Sequence, residues 1–415
     1  MRQSIIFILY LLCTFTARSQ SVLTPEQAGS IYYAYPAPPS TYTPAPTGYE
    51  PFYISHYGRH GSRWMTADER YTEVVCVFDS LYQCSELTPL GVDVRERLHK
   101  VWEDARGCSG SITPLGERQH REIAERMYRN FPQVFRGGAF IDARSSTSLR
   151  CAMSMSCFTE RLKELNPALQ VNRRAYHRYM DYIAYTSPEG EKFASEKAPW
   201  RRGFREFEKK NVRPERLMAS LFVKPEAITD QDAMMRSLYW IAADMQNVEL
   251  DLSFYDIFEY EELVGVWKTV NARMYVCNAA APLNGGLMPR CAVPLLRNIL
   301  ESADAAIEKG TPAADLRFGH DTHLIRLLAL MQIEGCSNQE VDMEKFHLAW
   351  QDYRVSPMGA NLQLIFYRDK KNDILVKFLL NECEVTLPLK SKMVPYYSWK
   401  EVETFLAEII GKEQP

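Results

Sequence analysis

His56-Tyr57-Gly58-Arg59-His60-Gly61-Ser62-Arg63-Trp64 is the stretch on which the reading of this chain turns. It sets a histidine between two arginines, with a glycine directly after it. A neutral imidazole is a nucleophile, and it attacks a phosphoryl group well only where that group's negative charge is shielded. Guanidiniums on either side supply planar, permanently charged donors that match phosphate oxygens. Gly61 leaves the backbone free to turn sharply and to come close to a bound ligand. Average composition produces Arg-His-Gly-x-Arg by chance in about one in a thousand chains of this length, so an incidental histidine in a basic turn is the weaker reading. Phe52 to His56, an aromatic and β-branched run, predicts a strand whose C-terminal end carries the motif. Ligands of open α/β sheets bind at that edge.

Working outward, 415 residues suffice for one large domain or two ordinary ones. Hydrophobic content of 46% and charged content of 24% are those of a globular protein. The formal net charge of -3 provides no global basic field for nucleic acid, so an anionic substrate must be drawn in by a local cluster. Arg2, the apolar run Ile5 to Phe15 and the small-x-small pattern Ala17-Arg18-Ser19 read as a secretory signal peptide over residues 1–20. The run is short for a membrane span, so a periplasmic or secreted protein with no membrane contact after cleavage is expected. Of ten cysteines, Cys13 falls in the leader, and the other nine show no Cys-x-x-Cys or zinc spacing. Export favours some pairing, with Cys84 and Cys108 as a candidate.

Residues 21–50, rich in Pro, Tyr, Ser and Thr, read as an extended lead-in over the domain. Helical patterns cover 68–106 and 117–130, and Ala139 to Ala143 reads as a buried strand. It leads into Arg144-Ser145-Ser146-Thr147-Ser148-Leu149-Arg150 and a helix over 151–165. Serines cap helix starts, and helix N-termini attract anions. From 171 to 263 the strand–helix alternation fades into helical segments with basic clusters such as Arg173-Arg174 and Arg201-Arg202. That predicts an inserted, mainly helical cap over 171–263 between the two parts, 21–170 and 264–415, of an α/β domain. The clusters fit either distal phosphates of a polyphosphorylated substrate or a solvated face, and Arg173 with Arg174 is the pair assigned to substrate. Amphipathic helices over 261–275 and 295–309 return the chain to the strand Asp315 to Gly319, which ends at His320-Asp321-Thr322-His323. His320 and His323 lack a Glu or Cys to complete a metal site, so neither metal nor other cofactor is expected. His99, His120, His177 and His347 read as surface or packing residues, His99, His177 and His347 with no acidic or basic constellation around them. Residues 361–368 and 375–380 alternate about a turn and predict a hairpin, and a final helix spans 398–410. The fold class is α/β, a doubly wound, mostly parallel sheet flanked by helices.

Arg59-His60-Gly61-Ser62-Arg63 resembles the signature of the histidine phosphatase superfamily, in its acid phosphatase and phytase branch. Ile112-Thr113-Pro114-Leu115-Gly116, the Arg144 to Arg150 segment and His320-Asp321 resemble further motifs of that family. The resemblance implies that His60 takes the phosphoryl group, which water then removes, and that Asp321 protonates the leaving alcohol. It implies Arg59, Arg63, Arg150 and His320 as phosphate ligands. Arg144 is the alternative to Arg150, because Leu149 and Cys151 stand where the family has Asp and Thr. The layout and the ending, Leu379-Leu380-Asn381-Glu382 and Leu387-Pro388-Leu389, resemble multiple inositol polyphosphate phosphatases. His320-Asp321-Thr322, by contrast, is similar to the acid phosphatases and bacterial phytases, not to the His-Ala-Glu of that group. The implied partner is a small, polyanionic phosphomonoester. A general monoester phosphatase and a non-catalytic phosphate-binding module are the alternatives, the second weakened by the presence of both His60 and Asp321.

Overall fold

The computed structural model describes residues 22–36, 38 and 41–411, so the expected leader and Cys13 lie outside the described residues. Four strands, β1 (Glu50–Arg59), β2 (Phe140–Ser145), β3 (Gln170–Arg174) and β4 (Ala314–Gly319), form a parallel half-sheet in the order β3-β2-β4-β1. The other half is antiparallel: β5 (Asn361–Arg368) pairs with β1 and with β6 (Ile374–Leu380), which also carries β7 (Cys383–Val385) and β8 (Tyr396–Ser398). β1 therefore sits at the seam, hydrogen-bonded on both edges and buried on both faces. Its alternation follows from that position. Tyr53 and Tyr57 join the core on one face, and Ile54 joins the core on the other. The strand continues past the expected run to Arg59, because Tyr57 and Gly58 find partners on β4 and β5 alike.

The principal helices are α1 (Glu69–Gln83), α2 (Pro89–Ala105), α3 (Pro114–Asn130), α4 (Leu149–Leu165), α5 (Arg201–Asn211), α6 (Glu215–Leu221), α7 (Gln231–Asp244), α8 (Tyr260–Asn278), α9 (Val293–Lys309), α10 (Asp321–Leu330) and α11 (Trp399–Gly411). α2 and α3 begin alike, with a threonine whose hydroxyl accepts from the glycine N–H three residues on and a proline in the first turn. α3 and α4 cover one sheet face through Ile123, Met127, Phe158 and Leu162, while α9, α10 and α11 cover the other through Leu296, Leu327 and Leu406. The helices between β3 and α8 do not pack alone. α6 and α7 share a separate core with α1 and α2, built from Phe78, Leu98, Leu221 and Leu238.

Three expectations need correction. The lead-in is not merely extended: Gln27–Tyr32 form a buried 3-10 turn. Tertiary partners that local sequence does not advertise hold it there, since Tyr239 donates to the Ala28 carbonyl and Asn247 to that of Tyr32. Cys84 and Cys108 are not joined, and the nine cysteines of the described residues are all free thiols. Cys84 ends α1 and Cys108 follows α2, on separate turns. His99 is not isolated either, for its Nε2 lies 2.8 Å from Asp79 Oδ1, which Arg95 also binds.

Candidate active site

The parallel pairing of β1 with β4 builds the site. Arg59 stands in register with Gly319, so the next residues, His60 and His320, leave adjacent strands side by side. The His60 N–H donates to the Gly319 carbonyl at 3.1 Å, and the two rings meet edge to face with centroids 5.7 Å apart. Asp321 opens α10 directly after, and Arg150 lies in the first turn of α4.

The loop after His60 is locked from behind. A Cβ on Gly61 would come within 2.5 Å of the Gly116 carbonyl oxygen, and one on Gly116 within 2.2 Å of the Ser62 oxygen. The two glycines thus let the loop and the start of α3 touch backbone to backbone. Gly61 serves the approach of α3, where the sequence suggested approach to a ligand. The Ser62 carbonyl accepts from Thr113 N–H, its amide donates to Gln119, and its hydroxyl donates to Asn247.

Arg59 is fully buried. Its Nη1 donates to the carbonyls of Ile31 at 2.6 Å and Ser356 at 2.7 Å, which fixes the plane of the guanidinium. Its Nη2 lies 3.1 Å from Asp321 Oδ2, a contact not aligned as a hydrogen bond. Arg63 is anchored through Nη1 on the Tyr32 hydroxyl and the Trp64 carbonyl. Arg59 Nε and Nη2, Arg63 Nε and Arg150 Nε are all buried without an acceptor. Buried guanidinium nitrogens without acceptors present the donors that an anion binds.

His60 Nδ1 lies 2.9 Å from the Gly61 carbonyl. A carbonyl only accepts, so the proton sits on Nδ1 and Nε2 keeps its lone pair. Burial, then Arg59, Arg63, Arg150 and His320, hold the His60 pKa well below the usual histidine value. Burial and the neighbouring cations thus favour the neutral ring. Burial, then Arg150, lowers His320 to about 4. Ser146 Oγ at 3.2 Å and the Cys151 thiol, which touches both ring nitrogens, fix the orientation of His320. For Asp321 burial acts upward, but Arg59 and His320 outweigh it and leave the carboxyl below its ordinary range.

The structure therefore brings Arg59, His60, Arg63, Arg150, His320 and Asp321 together. Arg150 has no carboxylate partner among the described residues, and its charge bears on His60 and His320. Arg144 is instead paired with Asp142 and Asp315 behind the sheet edge. Arg173 and Arg174 stand apart on the edge strand β3. Arg174 pairs with Asp142, and Arg173 Nε donates to Thr159 Oγ1 at 2.6 Å. His120 is buried against Phe318 beneath the site. Sequence reading missed Ile31, Tyr32 and Ser356, which hold the two motif arginines. It also missed Ser146 and Cys151 as supports of His320. Only the Tyr-rich composition of the lead-in hinted at the first group.

Solved structures share this fold. No curated protein sequence matches the chain. Among solved structures, Bifidobacterium longum multiple inositol polyphosphate phosphatase in complex with inositol hexasulfate superposes with a TM-score of 0.77 at 18% identity, over 92% of this chain and 97% of that one. The phytase from D. castellii gives 0.68 at 16% identity over 93% and 85%. The Hafnia alvei phytase complexed with myo-inositol hexakis sulphate gives 0.54 at 12% identity over 88% and 98%. Residues 59–381, which run from the first motif arginine past His320-Asp321, match the model of the histidine phosphatase superfamily (branch 2), and the chain belongs to that family.

Proposed function

We propose that the protein is an exported phosphomonoesterase that hydrolyses inositol polyphosphates through a phosphohistidine on His60. The observation that carries this reading is the lone pair of a neutral His60 Nε2 inside a ring of unpaired arginine nitrogens, with the Asp321 carboxyl alongside. Arg59, Arg63, Arg150 and His320 clamp the phosphate and neutralise its oxygens. His60 Nε2 attacks phosphorus in line, and the ester P–O bond breaks with its electron pair on the alcohol oxygen. That oxygen takes the proton of Asp321, since an alkoxide leaves poorly without one. Asp321, now a carboxylate, removes a proton from water as the water oxygen attacks phosphorus and the His60 P–N bond breaks. Phosphate leaves, and both groups return to their first state.

The free carboxyl is ionised over most of the pH range, so the proton it gives must enter with the substrate. A monoester monoanion brings one, and the phosphate's own charge then favours the neutral carboxyl.

Support for a polyanionic substrate comes from the inositol hexasulfate bound by the Bifidobacterium longum relative. The inserted helices over 171–263, together with α1 and α2, act as the cap. Arg173, exposed and free of carboxylates, is better placed than Arg174 to meet a distal phosphate. The leader directs the protein to the periplasm or the exterior. No helix of the described residues is long and apolar enough to cross a membrane. The test is phosphate release from inositol hexakisphosphate, glucose phosphate and a phenolic phosphate, with His60→Ala as control. Release from the simple esters alone would make this a general acid phosphatase; no His60-dependent release would leave a binding module.

A further inference from the structure

The buried turn Gln27–Tyr32 brings to the arginine cluster a group that the reaction above does not use. Tyr32 is 4% exposed, and the turn that carries it is pinned by a hydrogen bond from Ser30 to Asp352 and another from Tyr239 to the Ala28 carbonyl. The Tyr32 oxygen accepts from Arg63 Nη1 at 3.0 Å, and the Arg63 guanidinium lies over its ring, 4.8 Å from the centroid.

A phenol also has one hydrogen to give. Among the described residues no hydrogen bond takes it, and the group that this oxygen meets, the Arg63 guanidinium, only donates. A buried donor held against a guanidinium calls for an acceptor that the guanidinium would bind as well. We propose that Tyr32 is a substrate-binding residue whose phenolic O–H donates to an oxygen of the phosphoryl group held by Arg59, Arg63 and Arg150. This rests on the reading of the cluster as the phosphate site. It makes the lead-in segment part of the pocket as well as its support.

Tyr32→Phe removes the hydroxyl and keeps the ring beneath Arg63. The expected result is a dissociation constant for inorganic phosphate, and a KM for a phenolic phosphate, each raised about tenfold, with kcat and the melting temperature little changed. Values within twofold of the unaltered protein overturn the proposal. Because the hydroxyl also anchors Arg63, the same change is made in an Arg63→Gln background. A further loss of phosphate affinity of about fivefold there supports direct contact; no further loss shows that Tyr32 acts only through Arg63 and overturns it. The two readings fail separately. An active protein indifferent to Tyr32→Phe sinks the tyrosine's role alone. An inactive protein whose phosphate affinity still falls with Tyr32→Phe sinks the enzyme reading and keeps the contact.

Discussion

Arg59 Nη2 stands 3.1 Å from the Asp321 carboxylate, so one guanidinium reaches the phosphate pocket and the acid together. The cation that lowers the carboxyl's pKa in the free protein is the one whose charge a bound phosphate would offset. On the proposed mechanism, substrate binding prepares its own proton donor.

Asp321→Asn tests the acid directly. Turnover of an alkyl phosphate should fall about 10²- to 10⁴-fold, whereas a nitrophenyl phosphate, whose leaving group needs no proton, should lose far less in the first step. Burst kinetics separate that step from hydrolysis of the phosphoenzyme. Equal losses of the burst rate on both substrates would remove Asp321 from the role.

The pH profile follows from the signs of the shifts. His60 is held well below its usual value, so kcat/KM should not drop on acidification through 6.5, where an ordinary histidine would become protonated. Asp321 is depressed and already ionised there, so the alkaline limb should track loss of the substrate's proton, near about 6 for a phosphomonoester. Measured with two esters of different second pKa, the limb should move with the ester. An acid limb near 6.5 common to both would mean that His60 titrates normally.

Gly61→Ala sets two accounts of one glycine against each other. The added methyl meets the Gly116 backbone at 2.5 Å, so the urea midpoint should fall by the equivalent of about 2 kcal/mol. An unchanged midpoint with lost activity would put Gly61 against the ligand instead.

Arg144 and Arg150 should separate cleanly. Arg150→Ala should leave stability near that of the parent and lower kcat/KM strongly, because its Nε is unpaired in the pocket. Arg144→Ala takes the ion-pair partner from buried Asp315 and one of two arginines from Asp142, and should cost about 3 kcal/mol of stability. Thermal melts beside initial rates decide it, and the reverse pattern would reassign the phosphate ligand.

Much of this molecule is legible in one dimension because its site lies where strands end. Phe52 to His56 and Asp315 to Gly319 announce themselves as buried strands, and the motif that follows each contains one of the pair His60 and His320. The opening of α3 was legible only through the family resemblance of Ile112 to Gly116, since the helical pattern reads from 117 whereas the helix starts at Pro114 behind the Thr113 cap. What could not be read is whatever depends on distant contact. Tyr32 looks like one more tyrosine in a proline-rich lead-in until Tyr239 and Asn247 fold that segment beneath Arg63. Arg174 looks like a free cation until β3 lies beside β2 and meets Asp142. The cap likewise draws α1 and α2 into its core, a partnership between segments more than a hundred residues apart that no local period records.

The most direct measurement is trapping on a radiolabelled phosphomonoester with an alkaline detergent quench, followed by peptide mapping at alkaline pH. The account predicts a base-stable, acid-labile phosphoryl group on the peptide that contains His60, absent from His60→Ala and accumulating when water attack is slowed in Asp321→Asn. Phosphate release with no label on His60, at any quench time, would contradict it and mean that water attacks the ester directly.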